Sequence, residues 1–170
     1  MNRLSPTHAT LAAHTGILAV LGKRLTRMCH GELAVDEPLE SDDLGPLELG
    51  FDDGGSLQAR LISDGESATY AIYASLPALL YAQNSDWRRV DLSARAPYRA
   101  LLGARIVAID ALLFGATVAP EVVAGYVFHF DNARRLSYYN AGDTAHLYFD
   151  ALPPAPTPPF ELRPVRIIAD

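Results

Sequence analysis

Apolar and polar residues alternate along much of this chain, and a period of two is typical of β-strands. The clearest case is residues 125–150, where the aromatic residues Tyr126, Phe128 and Phe130 occupy every second position. Similar alternation occurs at 22–29, 46–52, 56–62 and 67–73. Turn-forming residues separate these runs, most clearly the Asp-Asp-Gly-Gly at 52–55. The pattern therefore predicts antiparallel strands joined by hairpins.

Other segments break this alternation. Apolar residues at helical spacing predict short helices at 5–21, 75–83 and 97–102. The polar stretch 84–96 is predicted to connect two halves of the molecule. Five prolines between 153 and 159 predict an extended linker, and the alternation at 160–168 indicates a possible final edge strand.

Short stretches of the first half recur in the second. Gly22-Lys23-Arg24-Leu25 matches Gly103-Ala104-Arg105-Ile106, Phe51-Asp52-Asp53 matches Phe130-Asp131-Asn132, and residues 63–68 match 140–145. The three matches keep the same order, which indicates a duplication.

These observations predict an α+β fold dominated by an antiparallel, twisted sheet or half-barrel with a few short helices. We expect one domain over residues 1–150, built from pseudo-repeats at about 17–74 and 98–150. Residues 151–170 would form a Pro-rich extended tail carrying the possible edge strand.

Charge restricts the classes of function. The formal net charge of −6 argues against nucleic acid as a partner, because nucleic-acid binding usually needs a basic face. The longest apolar runs are far shorter than a membrane-spanning helix, so no membrane association is expected. The single cysteine, Cys29, cannot form an intrachain disulfide and favours a reducing, cytoplasmic location.

The acidic residues are concentrated in one window. Residues 32–59 contain no Lys or Arg but nine acidic residues. Such a run can be an ordinary solvated loop, or it can be an electrostatic docking surface for a basic protein. The second interpretation predicts a partner-binding set that comprises Asp36, Glu37, Glu40, Asp42, Asp43, Asp52 and Asp53.

Known catalytic and metal-binding motifs do not occur in the sequence, so we predict a non-enzymatic protein without a cofactor or a metal. The alternative is a small hydrolase that uses His129, His146 and Asp143, with Asp131 close by in sequence. That alternative requires the hairpins to bring these side chains together. A third interpretation is a small-ligand binding domain with its pocket between the two halves.

A family resemblance supports the binding interpretation. The small, acidic chain has one cysteine, G-[KA]-R-[LI] strands, F-D-[DN] hairpins and a G-D-T element at 142–144. In these features it resembles the immunity proteins of bacterial contact-dependent inhibition and polymorphic toxin systems. The resemblance covers the general plan of residues 17–150 and assigns no individual binding residue. It implies neutralisation of a cognate toxin, often a basic nuclease, by covering the toxin's active site.

Overall fold

A computed structural model describes residues 10–33, 45–62, 64, 66–75, 87–116, 121–142 and 144–169. Within these ranges the chain forms ten strands and two 3₁₀ helices, and residues 10–12 are α-helical. In chain order they are η1 (Thr15–Val20), β1 (Leu25–Leu33), β2 (Leu47–Phe51), β3 (Ser56–Leu61), β4 (Ala68–Tyr73), β5 (Trp87–Asp91), η2 (Tyr98–Leu101), β6 (Ile106–Ala116), β7 (Val122–Phe130), β8 (Arg135–Asn140), β9 (Ala145–Phe149) and β10 (Phe160–Arg166).

The strands form two five-stranded sheets. Sheet 1 has the order β4-β3-β2-β1-β5, and sheet 2 has the order β10-β6-β7-β8-β9. Every neighbouring pair is antiparallel. In each sheet four consecutive strands form a meander, and the fifth strand returns to pair with the first. The predicted sheet-rich α+β fold with few short helices is confirmed.

Alternation along the strands explains how the core forms. In β2, Leu47, Leu49 and Phe51 point into the core, whereas Glu48 lies on the opposite face of sheet 1. One contiguous apolar core takes side chains from both sheets, and η1 and η2 contribute Ile17, Val20 and Leu101 to it. Burial of this shared core holds the two sheets together.

The two sheets meet at an isolated antiparallel bridge between Arg24 and Arg105. The contacts around the bridge are reciprocal. The Arg24 guanidinium donates a hydrogen bond to the Gly103 carbonyl, and the Arg105 guanidinium donates one to the Gly22 carbonyl at 2.6 Å. Both glycines have positive φ angles, 77° for Gly22 and 83° for Gly103, which an L side chain would strain.

The hairpin turns beside this junction are also alike. The Arg24 amide donates to the Asp52 carboxylate at 3.3 Å, and the Arg105 amide donates to the Asp131 carboxylate at 3.0 Å. The Asp53 carboxylate accepts from the amide two residues later at 2.9 Å, and the Asn132 side chain does the same at 3.2 Å. Short polar side chains therefore hold both turns.

The Pro-rich stretch crosses the outer face of sheet 2, which we define as the face opposite the shared core. It must cross because β9 and β10 lie at opposite edges of the sheet. The Ser137 hydroxyl donates to the Ala151 carbonyl at 2.8 Å, and Pro153 is buried. The outer face has its own apolar cluster, consisting of Leu112, Ala124, Val127 and Tyr139. The possible edge strand at 160–168 corresponds to β10.

The helix predicted at 5–21 is α-helical at residues 10–12 and 3₁₀ over Thr15–Val20, and the helix predicted at 97–102 is 3₁₀ over Tyr98–Leu101. Nearly all of the helix predicted at 75–83 lies outside the described residues. The polar stretch 84–96, predicted as the connection between the halves, also contains β5, which pairs with β1. The strand was not predicted because its arginines interrupt the alternation of apolar and polar residues.

Candidate functional site

Two of the predicted partner-binding residues, Asp52 and Asp53, are used within the β2–β3 turn. Asp52 accepts the Arg24 amide, as described above, and Asp53 forms an ion pair with Lys23 at 2.8 Å. The hydrogen bonds from Lys23 and from the Gly55 amide lower the pKa of Asp53 below its usual value. These two carboxylates therefore have a structural task in the turn.

The other five predicted residues, Asp36, Glu37, Glu40, Asp42 and Asp43, lie outside the described residues. Their attachment points are described. The Gly31 amide donates to the Pro46 carbonyl at 2.9 Å, and the Gly45 amide donates to the Gly31 carbonyl at 2.8 Å. The acidic segment, which we define as residues 34–44, thus joins two neighbouring strands of sheet 1 and has its ends held together.

A further acidic residue of the window, Glu48, is 1% exposed. Its carboxylate forms an ion pair with Arg89 of β5 at 2.9 Å. Burial raises the pKa of Glu48, while the nearby charges of Arg89 and Arg27 act in the opposite direction. The lack of basic residues within 32–59 is therefore partly compensated by arginines from β1 and β5.

The structure does not bring the proposed hydrolase residues together. His129 on β7 pairs with Arg135, and His146 on β9 pairs with Tyr139. Arg135 and Tyr139 are four residues apart on β8, about 13 Å along a strand. The His146 ring contacts the Thr144 hydroxyl at 3.1 Å. Asp143 lies outside the described residues.

His129 has a different carboxylate partner, which the sequence analysis missed. Its Nε2 atom lies 2.7 Å from Oδ2 of Asp110 on β6. Oδ1 of Asp110 accepts a hydrogen bond from Nε of Arg166 on β10. Asp110 is the single charged residue in the apolar run of β6, and that was the one available signal. Its partner depends on a register that includes a bulge between Ile106 and Ala108.

Beside this pair is a depression of about 350 Å³, which we call the His129 depression. Its lining residues are His129, Phe130, Ala133, Arg134, Arg135 and Asp150. Asp150 accepts hydrogen bonds from the Arg134 guanidinium at 2.5 Å and from the Arg135 amide at 3.0 Å. Burial acts to raise the pKa of Asp150, but these donors and the two arginine charges outweigh it and lower the pKa.

A second cavity, of about 400 Å³, lies between the two halves. It is lined by residues of the segment before η1, of β4 and the loop that precedes it, and of the start of β7. Two of its lining residues contact Tyr126: Nδ1 of His14 lies 2.7 Å from the Tyr126 hydroxyl, and the Tyr70 and Tyr126 rings meet edge to face. Burial lowers the pKa of His14 and so favours the neutral ring, whose Nδ1 accepts the hydrogen bond of the tyrosine hydroxyl when the ring proton is on Nε2. No described polar group there forms a recognisable catalytic set.

In the part of the chain that the structure describes, no three His, Cys, Asp or Glu side chains converge as metal ligands would. No helix in the described ranges has both the length and the apolar character to cross a bilayer. Comparison with protein-family models, with curated proteins and with solved structures finds no match to this chain.

Proposed function

We propose that this protein is a non-enzymatic binding protein that neutralises a cognate basic protein toxin, such as a nuclease, by covering the toxin's active site. The observation that carries the proposal is the uneven charge of the two halves. Residues 17–74 contain eleven acidic and four basic residues, whereas residues 98–150 contain five acidic and four basic ones. A protein with such a field attracts a basic partner to one side.

The docking charges belong to the acidic segment. Glu48, Asp52 and Asp53 are already engaged with Arg89, Arg24 and Lys23. We therefore assign the main role to Asp36, Glu37, Glu40, Asp42 and Asp43, and a supporting role to Asp52 and Asp53. Two paired strands anchor this segment, and such anchoring limits the entropy that it loses when a partner binds.

The connection at the matching place in sheet 2 provides a comparison. Residues 117–121, between β6 and β7, contain a single acidic residue, Glu121. The Glu121 carboxylate forms a two-oxygen contact with the Arg163 guanidinium at 2.6 and 2.8 Å. The acidic character is thus particular to the first half, which suits a role in binding rather than in folding.

We also infer that the two halves are structural repeats related by a pseudo-twofold axis at the Arg24–Arg105 bridge. The equal strand orders, the reciprocal arginine contacts and the similar turns support this inference. In a duplicated fold one half can maintain the core while the other acquires a binding loop. A cytoplasmic location accords with the free, buried thiol of Cys29.

The test is an association experiment with the protein encoded in the adjacent reading frame. We expect the Asp42→Asn/Asp43→Asn variant to lower the association rate constant about tenfold at low salt and to weaken its salt dependence. The matched control is Glu66→Gln/Glu161→Gln, which removes two charges from exposed positions elsewhere. The control should bind as the natural protein does. Absence of a complex with that protein, or equal rates for both variants, would contradict the proposal.

A further inference from the structure

The His129 depression has no role in the proposed toxin binding, and its charge is unusual for this chain. Arg166, Asp110, His129 and Arg135 occupy successive strands β10, β6, β7 and β8 across one end of sheet 2. Together with Arg134 and Asp150, the cluster has three arginines and a histidine against two carboxylates. An excess of positive groups around a depression in a protein of net charge −6 indicates an anionic ligand.

The two arginines of the depression have donors to spare. A guanidinium has five N–H donors. Among the described residues, Arg134 uses Nη1 for the Asp150 carboxylate, and Arg135 uses Nη2 for the Asp150 carbonyl at 3.1 Å. The Arg134 side chain is 51% exposed, so its remaining donors are accessible to a ligand. Asp150 therefore accepts one hydrogen bond from each guanidinium group and leaves further N–H donors of both for a ligand.

His129 is oriented toward the same space. Its Nε2 atom is occupied by Asp110, and a carboxylate in that position fixes the orientation and the tautomer of an imidazole. The other ring nitrogen, Nδ1, has no hydrogen-bond partner within the described ranges. Since the His129 side chain is 29% exposed and lines the depression, Nδ1 is the polar atom that it offers to a ligand.

We propose that the His129 depression binds the phosphate group of a small phosphate monoester. Arg134, Arg135 and His129 line the depression together. Three such groups can each contact one of the three terminal oxygens of a monoester, whereas a carboxylate offers only two oxygens. A protonated Nδ1 donates to a phosphate oxygen, and a neutral Nδ1 accepts from a phosphate hydroxyl. The volume of about 350 Å³ lies within the range of small-molecule sites and leaves room for the body of the ester.

The experiment is an NMR titration of the full chain that follows the His129 ring signal, assigned by its loss in His129→Gln. Inorganic phosphate and glycerol phosphate are the probes, and sodium chloride is added to matched ionic strength as the reference. We expect a saturable shift with phosphate at millimolar concentrations and at least about threefold tighter binding of glycerol phosphate. A shift with phosphate no larger than the shift with chloride would overturn the proposal. Equal affinity for inorganic phosphate and glycerol phosphate would show that the depression binds only the ion, and would overturn the assignment of a monoester.

Two variants locate the site. Arg134→Gln should weaken phosphate binding about tenfold, because one charge-assisted contact is lost. Arg60→Gln is the control, since Arg60 is exposed on β3 and lines none of the described cavities near His129. The backbone amide spectrum of each variant verifies folding. Equal weakening by the two variants would show a general charge effect and would contradict a specific site.

Discussion

At the scale of single residues, Gly125 is a position with no room for a side chain. It lies in β7 opposite Tyr139, in the centre of sheet 2. A Cβ atom built on Gly125 would lie 2.1 Å from the Tyr138 carbonyl oxygen and 2.9 Å from the Tyr139 Cα. Both atoms belong to the backbone of the next strand. A side chain there would force β7 and β8 apart.

We therefore expect Gly125→Ala to lower the free energy of unfolding by more than about 4 kcal/mol, measured by urea denaturation. Gly54→Ala is the matched control. Gly54 has φ of 84° and an open surrounding, and the equivalent residue of the second turn, Ala133, adopts φ of 64° with a methyl group present. Gly54→Ala should lower the free energy of unfolding by about 1–2 kcal/mol. Similar costs for both variants would contradict the packing argument.

At the scale of elements, the Arg24–Arg105 bridge joins the starts of β1 and β6. Each guanidinium donates to a carbonyl of the other half, so the two side chains should contribute similarly. We expect Arg24→Ala and Arg105→Ala each to lower the free energy of unfolding by about 1 kcal/mol. Chemical denaturation measures this, with Arg60→Ala expected within about 0.5 kcal/mol of the natural protein. A cost at only one arginine would contradict the reciprocal arrangement and weaken the inferred pseudo-twofold axis.

The sequence predicted those elements whose alternation is complete within one strand. In β2, β3 and the second half of β7, apolar side chains on one face revealed the strand and Asp-Gly or Asp-Asn residues revealed its turn. Strand β5 was missed because Arg89 is held by Glu48 from β2, a partner 41 residues away. The sequence of one strand does not indicate which distant residue will neutralise its charge.

The same reason explains why the sequence did not predict the contact between His129 and Asp110. The pairing of His129 with Asp110 depends on the register of β6 against β7, which a bulge shifts, and no spacing rule in the sequence encodes it. His129 and His146 looked equivalent because both alternate with apolar neighbours. Strand order separated them, since β8 lies between their strands.

At the scale of the whole molecule, pH is expected to change stability through groups whose pKa differs between the folded and unfolded states. Burial lowers the pKa of His14, and the hydrogen bond between its Nδ1 and the Tyr126 hydroxyl attaches the segment before η1 to sheet 2. Because the unfolded chain binds a proton on His14 more readily, the free energy of unfolding falls as pH decreases below about 6.5. Glu48 acts in the opposite direction, since its raised pKa makes the folded state bind the proton first as pH falls.

A comparison of variants separates these two contributions. The slope attributable to one proton is at most about 1.4 kcal/mol per pH unit. We expect the difference in unfolding free energy between the natural protein and His14→Gln to decrease as pH falls from about 7 to about 5, because the His14 contribution is lost there. Thr15→Ala is the control, since it removes a hydroxyl hydrogen bond beside His14 and no titratable group, and its difference should stay constant. Urea unfolding at several pH values measures both, and a His14→Gln difference independent of pH would show that the Tyr126 contact does not require a neutral imidazole.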